Sequence, residues 1–138
     1  MGKVLINVID YATGYAYSFP LTDMMEAGAL YAMNTVISNY GPPLEVISDN
    51  GQQFIGGTFT KLLPIARLNT RRRLRVTNGL CERYNGVIKF ILGHLLSDNP
   101  GARWEELLPT GVFNYRIRSN EYGYSPYYLV FGCDSAGA

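Results

Sequence analysis

The chain has 138 residues, 47% of them apolar and 17% charged. That is enough apolar chain to fold one domain with a real core, and the composition excludes a disordered segment. A net charge of +1 excludes a whole-surface electrostatic grip on nucleic acid but leaves room for a local one, because Arg67, Arg71, Arg72, Arg73 and Arg75 cluster.

In chain order, Val4 to Ile9 is a continuous apolar run bounded by Asp10 and a Thr-Gly turn, which predicts a buried strand. It is too short for a signal peptide or a membrane span. Tyr15 to Leu21 follows at hairpin distance and should pair antiparallel with it. Asp23 with Glu26 forms a capping box, and Met24 to Asn39 reads as a helix stopped at Gly41-Pro42. Glu45 to Ser48 is a short strand. Phe59 to Ala66 suits a short helix interrupted by Pro64, and Leu68 to Thr70 a strand. Gly79 to Leu96 is the long helix, closed by Asp98-Asn99-Pro100. Arg103 to Arg118 is another, and Ser125-Pro126 starts a short last one with Ser125 as its cap. Two cysteines, Cys81 and Cys133, suit an intracellular protein without a disulfide framework, and no Cys/His cluster has zinc-site spacing.

Two carboxylates stand out. Asp49 ends an apolar run within Ser48-Asp49-Asn50-Gly51, and Glu82 sits in the first turn of the long helix. An aspartate before Asn-Gly is by itself a common turn former, yet open α/β sheets place ligands at strand ends. Along the long helix, about 100° per residue puts Leu80, Tyr84, Val87, Ile88, Ile91 and Leu95 on one side. Glu82, Asn85 and Lys89 align on the opposite face. That stripe could bind a metal, orient a phosphate and neutralise a second phosphate; it could equally be a solvated Glu-Lys face. The arginine run has the same two readings, a solvated loop or a phosphate contact. His94 reads as a surface or half-buried residue. Trp104 and the tyrosines read as packing residues, and Cys81 as a small residue at the core boundary.

Five segments in order resemble the catalytic core of retroviral and retrotransposon (Gypsy-type) integrases, a ribonuclease H-like family. They are Lys3-Val4-Leu5-Ile6-Asn7-Val8-Ile9-Asp10 with Thr13-Gly14-Tyr15; Tyr40-Gly41-Pro42-Pro43 leading to Val46-Ile47-Ser48-Asp49-Asn50-Gly51; Thr77-Asn78-Gly79-Leu80-Cys81-Glu82-Arg83-Tyr84-Asn85; Trp104-Glu105-Glu106-Leu107-Leu108-Pro109; and Ser125-Pro126-Tyr127-Tyr128-Leu129-Val130-Phe131-Gly132. The resemblance implies an α/β fold, a ribonuclease H-like mixed sheet flanked by helices, with residues 1–132 as the core and 133–138 as a tail. It implies metal-dependent phosphoryl transfer on DNA, with Asp49 and Glu82 as catalytic and metal-binding residues. It adds DNA contacts from Asn85, Lys89, Arg71, Arg72, Arg73 and Arg75.

The departures from the family pattern carry their own expectations. The first catalytic aspartate of the family would fall upstream of Met1, on a strand lying between Val4–Ile9 and Glu45–Ser48, so the sheet is expected to lack its first, central strand. Asp10 matches a position at the far end of the next strand, which is not catalytic in the family. Arg73-Leu74-Arg75-Val76 replaces an aromatic, a proline and a glutamine on the loop that positions substrate DNA. Mg²⁺ or Mn²⁺ is expected to be weakly held between Asp49 and Glu82, whose carboxylates should lie about 4–8 Å apart. The expected partner is DNA; a homodimer is allowed for, and a membrane and a small-molecule substrate are not expected. The protein is expected inside the cell, and in the nucleus when it acts on DNA. The other reading is a catalytically inactive, retroelement-derived domain that binds DNA or a protein.

Overall fold

The computed structural model describes residues 4–22, 26–43, 45–48, 69–72 and 79–136. The elements are β1 (Val4–Ile9), β2 (Ala16–Leu21), α1 (Glu26–Tyr40), β3 (Glu45–Ser48), β4 (Asn69–Arg72), α2 (Gly79–Asp98), α3 (Trp104–Arg116) and α4 (Pro126–Phe131). The expected order of strands and helices is therefore present. The expected cap Asp23 and the expected helix from Phe59 to Ala66 lie outside the described residues.

β1 and β2 pair with each other, and β3 pairs with β4. Among the described residues no ladder joins the two pairs into one sheet. The β3–β4 pairing is parallel, with Glu45 opposite Asn69, Ile47 opposite Arg71 and Ser48 opposite Arg72. This corrects the loop reading of the arginine run: Arg71 and Arg72 belong to a strand, held there by a backbone ladder that does not depend on side-chain polarity. Arg73 and Arg75 lie outside the described residues.

The turn between β1 and β2 is built by Asp10 and Gly14. The Asp10 N–H donates to Tyr15 O at 2.9 Å, and the Gly14 N–H donates to Asp10 O at 2.8 Å. Gly14 has φ 73°, a left-handed conformation that favours glycine.

The chain packs as two compact units. One comprises Met1–Ile6 and Phe19–Gly79, the other Asn7–Ser18 and Leu80–Ala138. In the first, Ile6, Phe19, Ala29, Ala32 and Met33 are buried. Gly28 of α1 lies so close to Leu21 that an added Cβ would come within 2.4 Å of its Cδ1, so α1 and β2 approach through a position without a side chain.

In the second unit, Tyr15, Ala16, Tyr84, Ile88, Ile91, Leu92, Leu108 and Val112 form the core. The apolar side of α2 is the expected one, with Leu92 added to it and Leu80, Val87 and Leu95 half-buried. Leu92, Ile88 and Ile91 surround Gly111 of α3, whose missing side chain lets the two helices meet. The Ser125 side chain accepts from the Tyr128 N–H at 3.0 Å with Pro126 in the first turn, and Gly132 closes α4 at φ 72°. No described helix is long and apolar enough to cross a membrane.

Candidate functional site

Glu82 is exposed in the first turn of α2. The amino end of a helix carries partial positive charge, which favours a carboxylate there. Lys89 is also exposed, two turns further along. Both occupy the face that the periodicity assigns to them. Asp49 lies outside the described residues, and with it the expected approach of Asp49 to Glu82.

Asn85 departs from the expectation of an open polar face. It is half-buried, and its Oδ1 accepts a hydrogen bond from Nδ2 of Asn7 on β1. The Asn7 Oδ1 in turn accepts from the Ser18 hydroxyl on β2 at 2.6 Å. Ser18 Oγ lies 2.6 Å from the Tyr84 hydroxyl. The Cys81 thiol reaches the Asn7 carbonyl oxygen at 4.0 Å. Three residues in the first turns of α2 are thus tied to the hairpin around Glu82. The physical reason is burial: a polar side chain such as Asn7 inside an apolar strand must find partners. Asn7 was readable only as one polar letter in the run Val4 to Ile9.

Tyr84 is 1% exposed, and burial pushes its phenol up to about 12. The Tyr115 hydroxyl is also raised by burial, and it donates to Gly14 O at 2.7 Å.

Asp10 has a structural occupation. Its Oδ2 accepts from the Thr13 N–H at 3.0 Å and from the Thr13 hydroxyl at 2.6 Å. This agrees with its non-catalytic match. Among the described residues no group of three His, Cys, Asp or Glu side chains is placed to hold a metal ion. Glu82 itself supplies the hard, exposed oxygen donor that Mg²⁺ prefers.

The packing reading of the aromatics holds for Tyr15 and Tyr84, which are buried, and Tyr31, though 61% exposed, meets Phe19 edge-on at 5.8 Å between ring centroids; Tyr122 is 76% exposed. His94 is exposed and meets Phe90 edge-on, with ring centroids 4.5 Å apart. Cys81 is half-buried, as expected.

The whole architecture is similar to solved integrase cores. The HTLV-2 integrase catalytic core domain, solved in complex with magnesium, superposes with a TM-score of 0.80 over 91% of this chain and 82% of that one, at 22% identity. This chain has the ribonuclease H-like fold of an integrase catalytic core. The simian T-cell lymphotropic virus intasome gives a TM-score of 0.83 over 94% of this chain and 53% of that one, at 16% identity. In sequence the chain is similar to the Gag-Pol polyprotein of gibbon ape leukemia virus, at 28% identity over 135 residues and 94% of this chain. It is also similar to the Pro-Pol polyprotein of simian foamy virus type 3 (strain LK3), at 29% over 138 residues and 95% of this chain. The chain spans 8% of the first of these relatives and 12% of the second. No family model matches it.

Proposed function

We propose that this chain is the core of an integrase-like polynucleotidyl transferase that acts on DNA. The observation that carries the reading is the exposed Glu82 in the first turn of α2, within a fold shared with integrase cores.

In this reading Glu82 and Asp49 hold a divalent ion, Mg²⁺ or Mn²⁺. The bound ion supplies Lewis-acid activation of the attacking oxygen and charge stabilisation on the phosphoryl group. The Asn85 amide donates to a phosphate oxygen and orients it. The Lys89 ammonium neutralises a neighbouring phosphate. Arg71, Arg72, Arg73 and Arg75 follow the strand backbone as sequence-independent contacts.

The three-carboxylate set that the integrase resemblance implies is met here at two positions. Asp10 is committed to the hairpin turn. A polypeptide of residues 1–138 alone would therefore hold the ion weakly and transfer strands slowly or not at all. Missing one anionic ligand should cost several kcal/mol of transition-state stabilisation, on the order of a thousandfold in rate.

A DNA nicking and joining assay with Mn²⁺ tests this reading. It compares this chain, Glu82→Gln, Asp10→Asn, and a version extended upstream by a strand carrying an aspartate. Activity that appears in the extended version and disappears with Glu82→Gln supports the proposal. Robust joining by residues 1–138 that is abolished by Asp10→Asn contradicts it.

The second reading is a catalytically inactive domain that binds DNA or a protein. It is favoured by the engagement of the Asp10 carboxylate by Thr13, which leaves that side chain as a turn residue. DNA binding that persists in every variant without chemistry would select it. A homodimer, and a nuclear location when the protein acts on DNA, complete the proposal; sedimentation and imaging of the tagged protein test them.

A further inference from the structure

The hydrogen-bond chain beneath Glu82 has a direction. Ser18 donates its hydroxyl hydrogen to Asn7 Oδ1, so at its contact with Tyr84 it accepts. The phenol must then be the donor. The reverse polarity fails on one atom: the Tyr84 hydroxyl would accept from Ser18, and its own hydrogen would need another acceptor. Tyr84 is 1% exposed, and Ser18 is its sole hydrogen-bond partner among the described residues. A buried hydroxyl hydrogen without an acceptor is costly, so among the described residues the polarity with Tyr84 as donor is the one that satisfies both hydroxyls. The raised phenol keeps that hydrogen in place at any working pH.

The direction runs from Tyr84 to Ser18 to Asn7 to Asn85. Asn7 spends its oxygen on Ser18 and turns its NH₂ to Asn85, so Asn85 must present its oxygen to Asn7. Among the described residues the chain therefore ends at the Asn85 amide NH₂, a pair of donors.

We propose that Asn7 is a positioning residue that sets the amide of Asn85, so that a donor and not an acceptor is offered to a DNA phosphate oxygen. The ligand rests on the proposed function; the orientation rests on the hydrogen-bond chain alone.

Asn7→Asp is the discriminating change. It is isosteric and still accepts from Ser18, but it cannot donate to Asn85. Asn85 must then flip, turning its NH₂ inward and its oxygen outward. Two readouts on the full chain follow the consequence. Solvent exchange of the Asn85 side-chain amide protons is measured by NMR, and it should slow by about tenfold in Asn7→Asp as those protons become bonded. Affinity for a DNA duplex should fall by about three- to tenfold in Asn7→Asp at neutral pH.

The same substitution in an Asn85→Ala background should have no further effect on affinity, because a positioning residue acts through the group it positions. An equal loss in both backgrounds would reveal a through-space effect of the new charge and overturn the positioning role. Unchanged amide exchange in Asn7→Asp would overturn the orientation itself. A native chain that fails to bind the duplex would refute the DNA ligand and the proposed function, while the exchange result still decides the orientation.

Discussion

Arg116 grips the first residue of β2: its Nε and Nη2 donate to the Ala16 carbonyl oxygen at 2.9 and 2.8 Å. The same guanidinium lies 4.2 Å from the Tyr15 ring centroid and 4.8 Å from that of Tyr17. One side chain of α3 thus fixes the hairpin that also supplies Asn7 and Ser18. Arg116→Met keeps the aliphatic stem and removes both charge-assisted hydrogen bonds and the cation–ring contacts. A loss of about 2–4 kcal/mol is expected from urea unfolding midpoints. Arg116→Lys should recover only part of it, because an ammonium lacks the planar fork.

Tyr84 predicts a specific alkaline weakness. Its folded-state value of about 12 stands above the ordinary value of 10.0, so the unfolded chain loses the phenol proton first as pH rises. The stability contributed by this group is complete below pH 10 and is lost progressively as pH rises towards 12. The full loss is roughly 2–3 kcal/mol. Urea unfolding of the native chain and of Tyr84→Phe between pH 8 and 11.5 checks it: the native chain should weaken more steeply above pH 10. Parallel curves would contradict the assignment to Tyr84.

The α2–α3 contact depends on Gly111. A Cβ there would meet Leu92 Cδ2 at 3.3 Å and Ile88 Cδ1 at 3.5 Å. Gly111→Val adds two further methyl groups to a closed contact and should cost about 1–3 kcal/mol. Gly111→Ala should be milder, since the gain in helix propensity of about 1 kcal/mol offsets a small adjustment of Leu92. Thermal melting of both variants orders the two effects.

Asp10 should behave as a turn residue. Asp10→Asn weakens the two hydrogen bonds from Thr13. A stability loss of about 1 kcal/mol is expected in urea unfolding. Its response to Mn²⁺ should equal that of the native chain.

The order of elements was legible because the local signals agreed with one another: an apolar run before a Thr-Gly turn, a Ser-Pro cap at Ser125, a 3.6-residue period from Leu80 to Leu95. Glu82 and Lys89 were legible for the same reason, since a helical stripe is a property of sequence spacing. Asn85 shares that stripe but is drawn to the hairpin by Asn7, a partner 78 positions away. No helical period contains such a pairing. Leu92 was missed because a neighbouring helix with a glycine at position 111 widens the buried side of α2. Neither reading of Arg71 and Arg72, a solvated loop or a phosphate contact, placed them on a strand, because their side chains are polar. Strand pairing uses the backbone, so the ladder with β3 forms regardless.

The proposed function requires that Asp49 and Glu82 share one divalent ion. Paramagnetic broadening by Mn²⁺ tests it most directly, because it reports weak binding residue by residue. Amide signals around Asp49 and around Glu82 should broaden together at the same Mn²⁺ concentration. Asp49→Asn or Glu82→Gln should each abolish the effect at both places. Broadening near Glu82 that survives Asp49→Asn, or no broadening at either place, would contradict it.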